Sequence, residues 1–133
     1  MKVTPDKARA RTQGGPQNFT GDVVQTLLHG AIAPSRVSAG LNTFHAGSRT
    51  RWHTHPLGQV LHITQGRGRV QKWGEPVIEV AAGDTVWIAP LEKHWHGAAL
   101  DGDMMHVSIQ EALDGSAVTW LEEVSEPQYR GEA

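Results

Sequence analysis

Turn residues interrupt this chain so often that no apolar run beyond its first turns can complete a helix. The punctuation falls at Gly47-Ser48, Pro56-Leu57-Gly58, Gly66, Gly74-Glu75-Pro76, Gly83-Asp84 and Asp101-Gly102-Asp103. Between these breaks apolar residues alternate, or run on for a few positions, in the manner of strands. Strands are expected at Val23–Leu28, Arg36–Phe44, Thr50–His55, Gln59–Thr64, Gly68–Lys72, Val77–Val80, Thr85–Ile88, Lys93–Ala98 and Met104–Gln110. Only Ser125-Glu126-Pro127-Gln128-Tyr129 reads as a helix start. An all-β chain must hide its sheet edges, and a closed barrel or a double-sheet jelly roll does so. At 133 residues a single domain is expected: an N-terminal arm at 1–18, the barrel at 19–124 and a tail at 125–133. The basic, Gly/Pro-punctuated arm reads as a solvated or loosely packed terminus.

Composition narrows the chemistry. The chain has eight histidines and no cysteine, which excludes a disulfide framework, thiolate zinc sites and cysteine nucleophiles. A formal net charge of -2 argues against nucleic-acid binding, which needs a basic stripe. No window approaches the roughly 20 apolar residues of a membrane helix. The N-terminus lacks an apolar stretch behind its charges, so a cytoplasmic protein without a secretory signal is expected. Several strands are apolar on both faces, Val86-Trp87-Ile88 among them, which predicts a homo-oligomer, a dimer or tetramer.

The histidines cluster by spacing. His53 and His55 lie two apart on a presumed strand and so share a face, where two imidazoles can chelate one ion. Pro56-Leu57-Gly58 then turns the chain, and Gln59 opens the next strand, from which its amide oxygen can return to the same place. His94 and His96 repeat the spacing, and His106 shares a face with Met104, Ser108 and Gln110. His29 and His45 lie near turns and read as surface groups; His62 alternates away from Gln59. Arg49 and Arg51 fall on the face opposite His53 and read as solvated or paired with a neighbouring subunit. The tryptophans read as packing, with Trp52 and Trp95 placed to stiffen the barrel beside the histidines.

These strings resemble the cupin family. Its first motif, Gly-x5-His-x-His-x3,4-Glu-x6-Gly, reads here as Gly47, His53, His55, Gln59 and Gly66, with glutamine in the glutamate place. Its second, Gly-x5-Pro-x-Gly-x2-His, reads as Gly83, Ala89, Leu91 and His94, keeping the first glycine and the histidine, with Pro90 one place late. The resemblance implies a double-stranded β-helix, the cupin jelly-roll barrel.

A closer likeness is to small bacterial cupins that act as manganese-dependent hydroxynitrile lyases. It is carried by Trp52-His53-Thr54-His55-Pro56-Leu57-Gly58-Gln59, by Glu92-Lys93-His94-Trp95-His96-Gly97 and by Ile109-Gln110-Glu111. That likeness implies a metal held by His53, His55, Gln59 and His94, proton transfer by His106, and a substrate side lined by Gly40 and Asn42. Three imidazoles and one amide suit Mn2+, Fe2+, Zn2+, Ni2+ or Co2+ alike, and among these the likeness implies Mn2+. With Gln59 in place of a carboxylate the bound divalent ion keeps its full charge and is a stronger Lewis acid. A base must then come from elsewhere, and His106 or His96 is the candidate, with Gln110 orienting the departing group. The expected reaction is reversible cleavage of an aromatic cyanohydrin such as mandelonitrile into aldehyde and cyanide. The competing readings are an Fe2+ cupin dioxygenase of small carbonyl compounds and a non-catalytic small-molecule-binding cupin.

Overall fold

The computed structural model describes residues 1–132 and is built from twelve strands, one short α-helix and a single 3-10 turn at Asp6–Ala8. The strands are β1 (Arg11–Gln13), β2 (Phe19–Thr20), β3 (Val23–His29), β4 (Val37–Phe44), β5 (Arg49–Thr50), β6 (His53–Thr54), β7 (Gln59–Lys72), β8 (Ile78–Ala81), β9 (Thr85–Ile88), β10 (His94–Ala98), β11 (Met104–Glu111) and β12 (Thr119–Trp120). The helix α1 covers Glu126–Arg130. All pairing is antiparallel, with one sheet ordered β1-β3-β4-β11-β7-β9 and the other β2-β5-β10-β7-β8. Strand β6 joins β10, and β12 joins β6. The expected jelly-roll barrel is therefore the fold.

One long strand joins the two sheets. The separate strands expected at Gln59–Thr64 and Gly68–Lys72 are a single β7, continuous through Gly66. Gly66 has φ +75°, and a Cβ there would collide with the Asp103 carbonyl, so the position bends the strand without ending it. The first half of β7 pairs with β11 and β9, and the second half with β10 and β8. Conversely, the single strand expected at Thr50–His55 breaks at Arg51-Trp52, where the Trp52 backbone exchanges hydrogen bonds with Glu122 and Leu121. Three short strands, β1, β2 and β12, carry too few residues to show a period in the sequence.

The interior core gathers Phe19, Val23, Phe44, Ile63, Val70, Val80, Ala98 and Met104 between the sheets. A second cluster, Trp52, Trp95, Val124 and Tyr129, lies under the C-terminal helix. That helix begins where its sequence reads as a start, and a capping box closes it: Gln128 N–H donates to Ser125 Oγ at 3.2 Å, and Ser125 N–H to Gln128 Oε1 at 2.9 Å. Tyr129 is buried and donates to the Ala98 carbonyl at 2.6 Å.

Arg49 corrects its expected place. It is 4% exposed and bound within its own chain: its guanidinium donates to the Val124 carbonyl at 2.9 Å and to Glu126 at 3.3 Å, and lies 4.6 Å from the Tyr129 ring centre. Arg51 likewise reaches Pro16, Leu121 and Glu123 of the same chain. Other segments of the same chain, chiefly 121–129, thus replace solvent or a neighbouring subunit as their partners. Arg49→Ala removes one partner of a buried polar cluster and leaves the Val124 carbonyl bare. It is expected to cost about 3 kcal/mol, read as a lowered urea midpoint, with the barrel interior unchanged.

Alternation gives the first sheet two distinct faces. The cross-strand rows Gly40–Ser108–Leu61, Asn42–His106–Ile63 and Ser38–Gln110–Gln59 turn inward, and the row Ala39–Ile109–Val60–Trp87 turns outward. Trp87 is 61% exposed and Ile109 40%. No helix among the described residues is long and apolar enough to cross a membrane.

Candidate metal centre

Five histidines converge inside the barrel. His53 and His94 are direct cross-strand partners on β6 and β10, with ring centres 4.2 Å apart. The His55 ring lies 5.0 Å from His53 and 5.4 Å from His94, and His96 lies 5.2 Å from His53. His106 comes from β11, 4.9 Å from His96. All five are buried, between 0 and 4% exposed. The tightest trio is His53, His94 and His96, whose ligand atoms lie within 4.8 Å of one another.

Hydrogen bonds define the protonation of three of these rings. His53, His55 and His94 each place Nδ1 2.8 Å from a backbone carbonyl, of Arg51, Ala117 and Glu92 respectively. A carbonyl only accepts, so each Nδ1 carries the proton and each Nε2 keeps its lone pair. The Nε2 atoms of His55 and His94 and the Oε1 of Gln59 are buried without a partner. Unpaired buried acceptors converging on one place are what a cation would satisfy, and carbonyl-anchored imidazoles are its usual ligands. The residues present therefore fit a divalent metal of the Mn2+, Fe2+ or Zn2+ class.

His96 is anchored differently. Its Nδ1 meets His106 Nε2 at 3.2 Å, leaving His96 Nε2 and His106 Nδ1 unpartnered. The two rings share one proton across that contact. His96 lines the cavity described below, whereas His106 lies behind it, fully buried against Phe44. Of the two candidate bases, His96 thus stands at the cavity, and His106 reaches it through His96.

Burial keeps every one of these rings neutral. Desolvation pushes His94 and His106 down to about 4. His53 is held well below the ordinary imidazole range by burial, then by His94 and His55; His96 by burial, then by His106 and His53. His55 is lowered by burial as well. The remaining three histidines lie outside the cluster, as expected: His29 and His62 are exposed, and His45 bridges Asp22 and Asp103 at the surface.

His53, His55 and His96, with Gln59, open onto a cavity of about 350 Å3. One wall is aromatic: Phe19 packs edge-on against Phe44 at 6.0 Å and Trp120 at 5.9 Å, and Trp120 lies 4.7 Å from the His53 ring. The opposite wall is polar and contains Gly40, Asn42, Ser108 and Gln110. Gly40 leaves this side open, and a Cβ there would only touch Ser108 Oγ at 3.4 Å. The amide of Gln110 is engaged at both ends, by Ser38 and Gln59. The sequence missed Phe19 and Trp120 because each sits on a two-residue strand, too short to show which way its side chain points. Ser38 was within reach, two places from Gly40 on the alternating face of β4.

Comparison with known proteins places this arrangement. A sequence model of the cupin domain matches residues 40–110. A protein of Granulicella tundricola described as "(R)-mandelonitrile lyase" is 47% identical over 130 residues, covering 98% of this chain and 99% of that protein. The crystal structure of a cupin-like protein from Thermotoga maritima superposes with a TM-score of 0.86 at 35% identity, covering 91% of this chain and 92% of that one. A cupin 2 conserved barrel domain protein from Rhodopseudomonas palustris shares the fold at 20% identity and a TM-score of 0.72, over 90% of this chain and 83% of that one.

Proposed function

The chain belongs to the cupin domain family, and we propose that within it the protein is a metal-dependent hydroxynitrile lyase acting on aromatic cyanohydrins such as mandelonitrile. The observation that carries this reading is the aromatic-walled cavity ending on buried, unpaired imidazole and amide acceptors. The 47% identity to a protein described as a mandelonitrile lyase supports it.

In this reading His53, His55, Gln59 and His94 hold the metal, because three of them share the carbonyl-anchored Nδ1 and His96 does not. When bound, a divalent cation supplies Lewis acidity toward the substrate's hydroxyl oxygen. The protein does the rest. Phe19 and Trp120 take the aromatic ring and exclude water. With the shared proton on His96 Nδ1 and donated to His106, His96 Nε2 faces the cavity with a lone pair. It accepts the hydroxyl proton as the bond to the nitrile carbon breaks. The O–H electron pair becomes the carbonyl π bond, the carbon–carbon pair leaves with cyanide, and His96 returns the proton to cyanide. His106 takes part through His96, whose tautomer it sets.

Two experiments test the reading. Under nitrogen, the Mn2+-loaded protein is expected to release benzaldehyde from mandelonitrile, and the metal-free protein is not. Oxygen uptake with a β-diketone and no anaerobic cleavage would contradict it. His96→Ala is expected to keep one metal per chain while cleavage falls roughly 100- to 10,000-fold. Loss of the metal would make His96 a ligand instead.

A second copy of the chain is proposed to cover the outer row Ala39–Ile109–Val60–Trp87. The row carries no charge for a charged partner to pair with, while an identical face pairs with it sheet on sheet. Light scattering is expected to give a multiple of 14.5 kDa, reduced to 14.5 kDa by Ile109→Glu; a monomeric parent would contradict this.

A further inference from the structure

Ser38, Gln110 and Gln59 stand directly opposite one another on β4, β11 and β7. Their side chains form a hydrogen-bonded file across the three strands. Gln110 Nε2 donates to Ser38 Oγ at 2.8 Å and to the Ser38 carbonyl at 3.3 Å, and Gln59 Nε2 donates to Gln110 Oε1 at 3.0 Å.

One atom sets the direction of the whole file. The Ser38 carbonyl can accept and never donate, so the nitrogen of Gln110 must face β4. The oxygen of Gln110 then faces β7, and only the nitrogen of Gln59 can meet it. The oxygen of Gln59 is left buried and unpaired inside the cavity that His55 also lines.

We propose that Ser38 and Gln110 are positioning residues that hold Gln59 with its oxygen toward the metal, and that the file favours an amide over a carboxylate at residue 59. A carboxylate there would set oxygen against oxygen at Gln110. Turning the Gln110 amide over to relieve this would set its oxygen against the Ser38 carbonyl instead. The glutamine standing in the glutamate place of the cupin motif is thus matched to residues on two other strands. The inference rests on the reading that Gln59 is a metal ligand, and goes beyond it by naming what aims the ligand.

The test is the Mn2+ dissociation constant of the full chain, measured by competition with a fluorescent chelator. Gln110→Leu, which removes the acceptor for Gln59, is expected to weaken Mn2+ binding roughly tenfold or more. In a Gln59→Ala background the same change is expected to have no further effect, because the residue it aims is gone. Equal losses in both backgrounds, or no loss in the parent, would overturn the proposal. Gln59→Glu is expected to bind Mn2+ no more tightly than the parent, although added negative charge alone would tighten it. A tenfold gain would overturn the amide preference.

A metal-free readout separates this inference from the ligand assignment. In 15N NMR spectra the side-chain NH2 protons of Gln59 and Gln110 are expected to be protected from solvent exchange, and those of Gln110 to lose protection in Ser38→Ala. Fast exchange at Gln59 in the parent would overturn the file even if the metal binds. Protection without Mn2+ binding would leave the file standing and remove the ligand role. Failure of cyanohydrin cleavage with the affinity coupling intact would count against the reaction alone.

Discussion

His53→Ala is expected to leave a folded protein with no stoichiometric divalent metal, and to lower cyanohydrin cleavage by at least about a thousandfold. The size follows from where His53 stands. It is the cross-strand partner of His94, lies within 5.2 Å, ring centre to ring centre, of His55, His94 and His96, and closes the inner end of the aromatic wall through Trp120. Its Nδ1 is committed to the Arg51 carbonyl, so its Nε2 is aimed by the backbone break that separates β5 from β6. The fold is expected to survive because the two apolar clusters are held by residues other than His53, whose ring meets them only through Trp120. Elemental analysis after Mn2+ loading, paired with a benzaldehyde assay, reads both effects. Retention of one metal per chain would remove His53 from the ligand set.

The second large effect is on stability. The metal-free protein is expected to lose at least about 4 kcal/mol, or roughly 15 °C in Tm, between pH 7 and pH 5. The sign follows from burial. In the unfolded chain an imidazole takes up its proton near pH 6.5, whereas His94 and His106 in the fold do so only near 4. Between those values the unfolded state binds more protons, so acid favours unfolding. Stability is therefore fully present above pH 6.5 and falls continuously as the pH drops toward 4. At pH 5 each of these two rings contributes about 2 kcal/mol of the loss. His53, His55 and His96 are shifted in the same direction and add to it. A loss of this size is large against the roughly 5–15 kcal/mol that holds a typical domain. Saturating Mn2+ raises the whole curve, since a metal that binds only the folded state stabilises it. Thermal unfolding followed by circular dichroism at several pH values measures this, and a Tm that stays level from pH 7 to pH 5 would contradict it.

These expectations depend on features that were legible in the sequence to different degrees. The all-β class could be read from punctuation, because glycine and proline act locally and the strands they separate alternate. Gly66 was misread as a terminator for the same reason: its positive φ is visible as a glycine, but the Asp103 carbonyl that it makes room for lies on a neighbouring segment. The convergence of His53 with His94 follows from strand period and register, and the motif spacing anticipated it. The order of His96 and His106 did not, because alternation tells which face a ring takes and not which of two inward rings stands nearer the cavity. Arg49 faces away from His53 because the chain breaks between them at Arg51-Trp52, and its partners Val124, Glu126 and Tyr129 lie about 75 residues further on and are invisible to local pattern. The aromatic wall failed for lack of length: β2 and β12 are two residues each.

The same contrast explains why the site can be built from so short a chain. Carbonyls of Arg51, Ala117 and Glu92 orient three imidazoles without any carboxylate, so the cluster needs no buried negative charge. The cost appears only in acid, where the rings must charge. At neutral pH the set is uncharged, and a divalent ion held there would keep its full charge and its Lewis acidity.

One metal per chain at this cluster is proposed to drive cyanohydrin cleavage. Titrating metal-free protein with Mn2+ under nitrogen and following benzaldehyde release from mandelonitrile tests that directly. The rate is expected to rise linearly and break at one equivalent of Mn2+ per chain. A rate that is flat throughout, or that is already full before any metal is added, would contradict it.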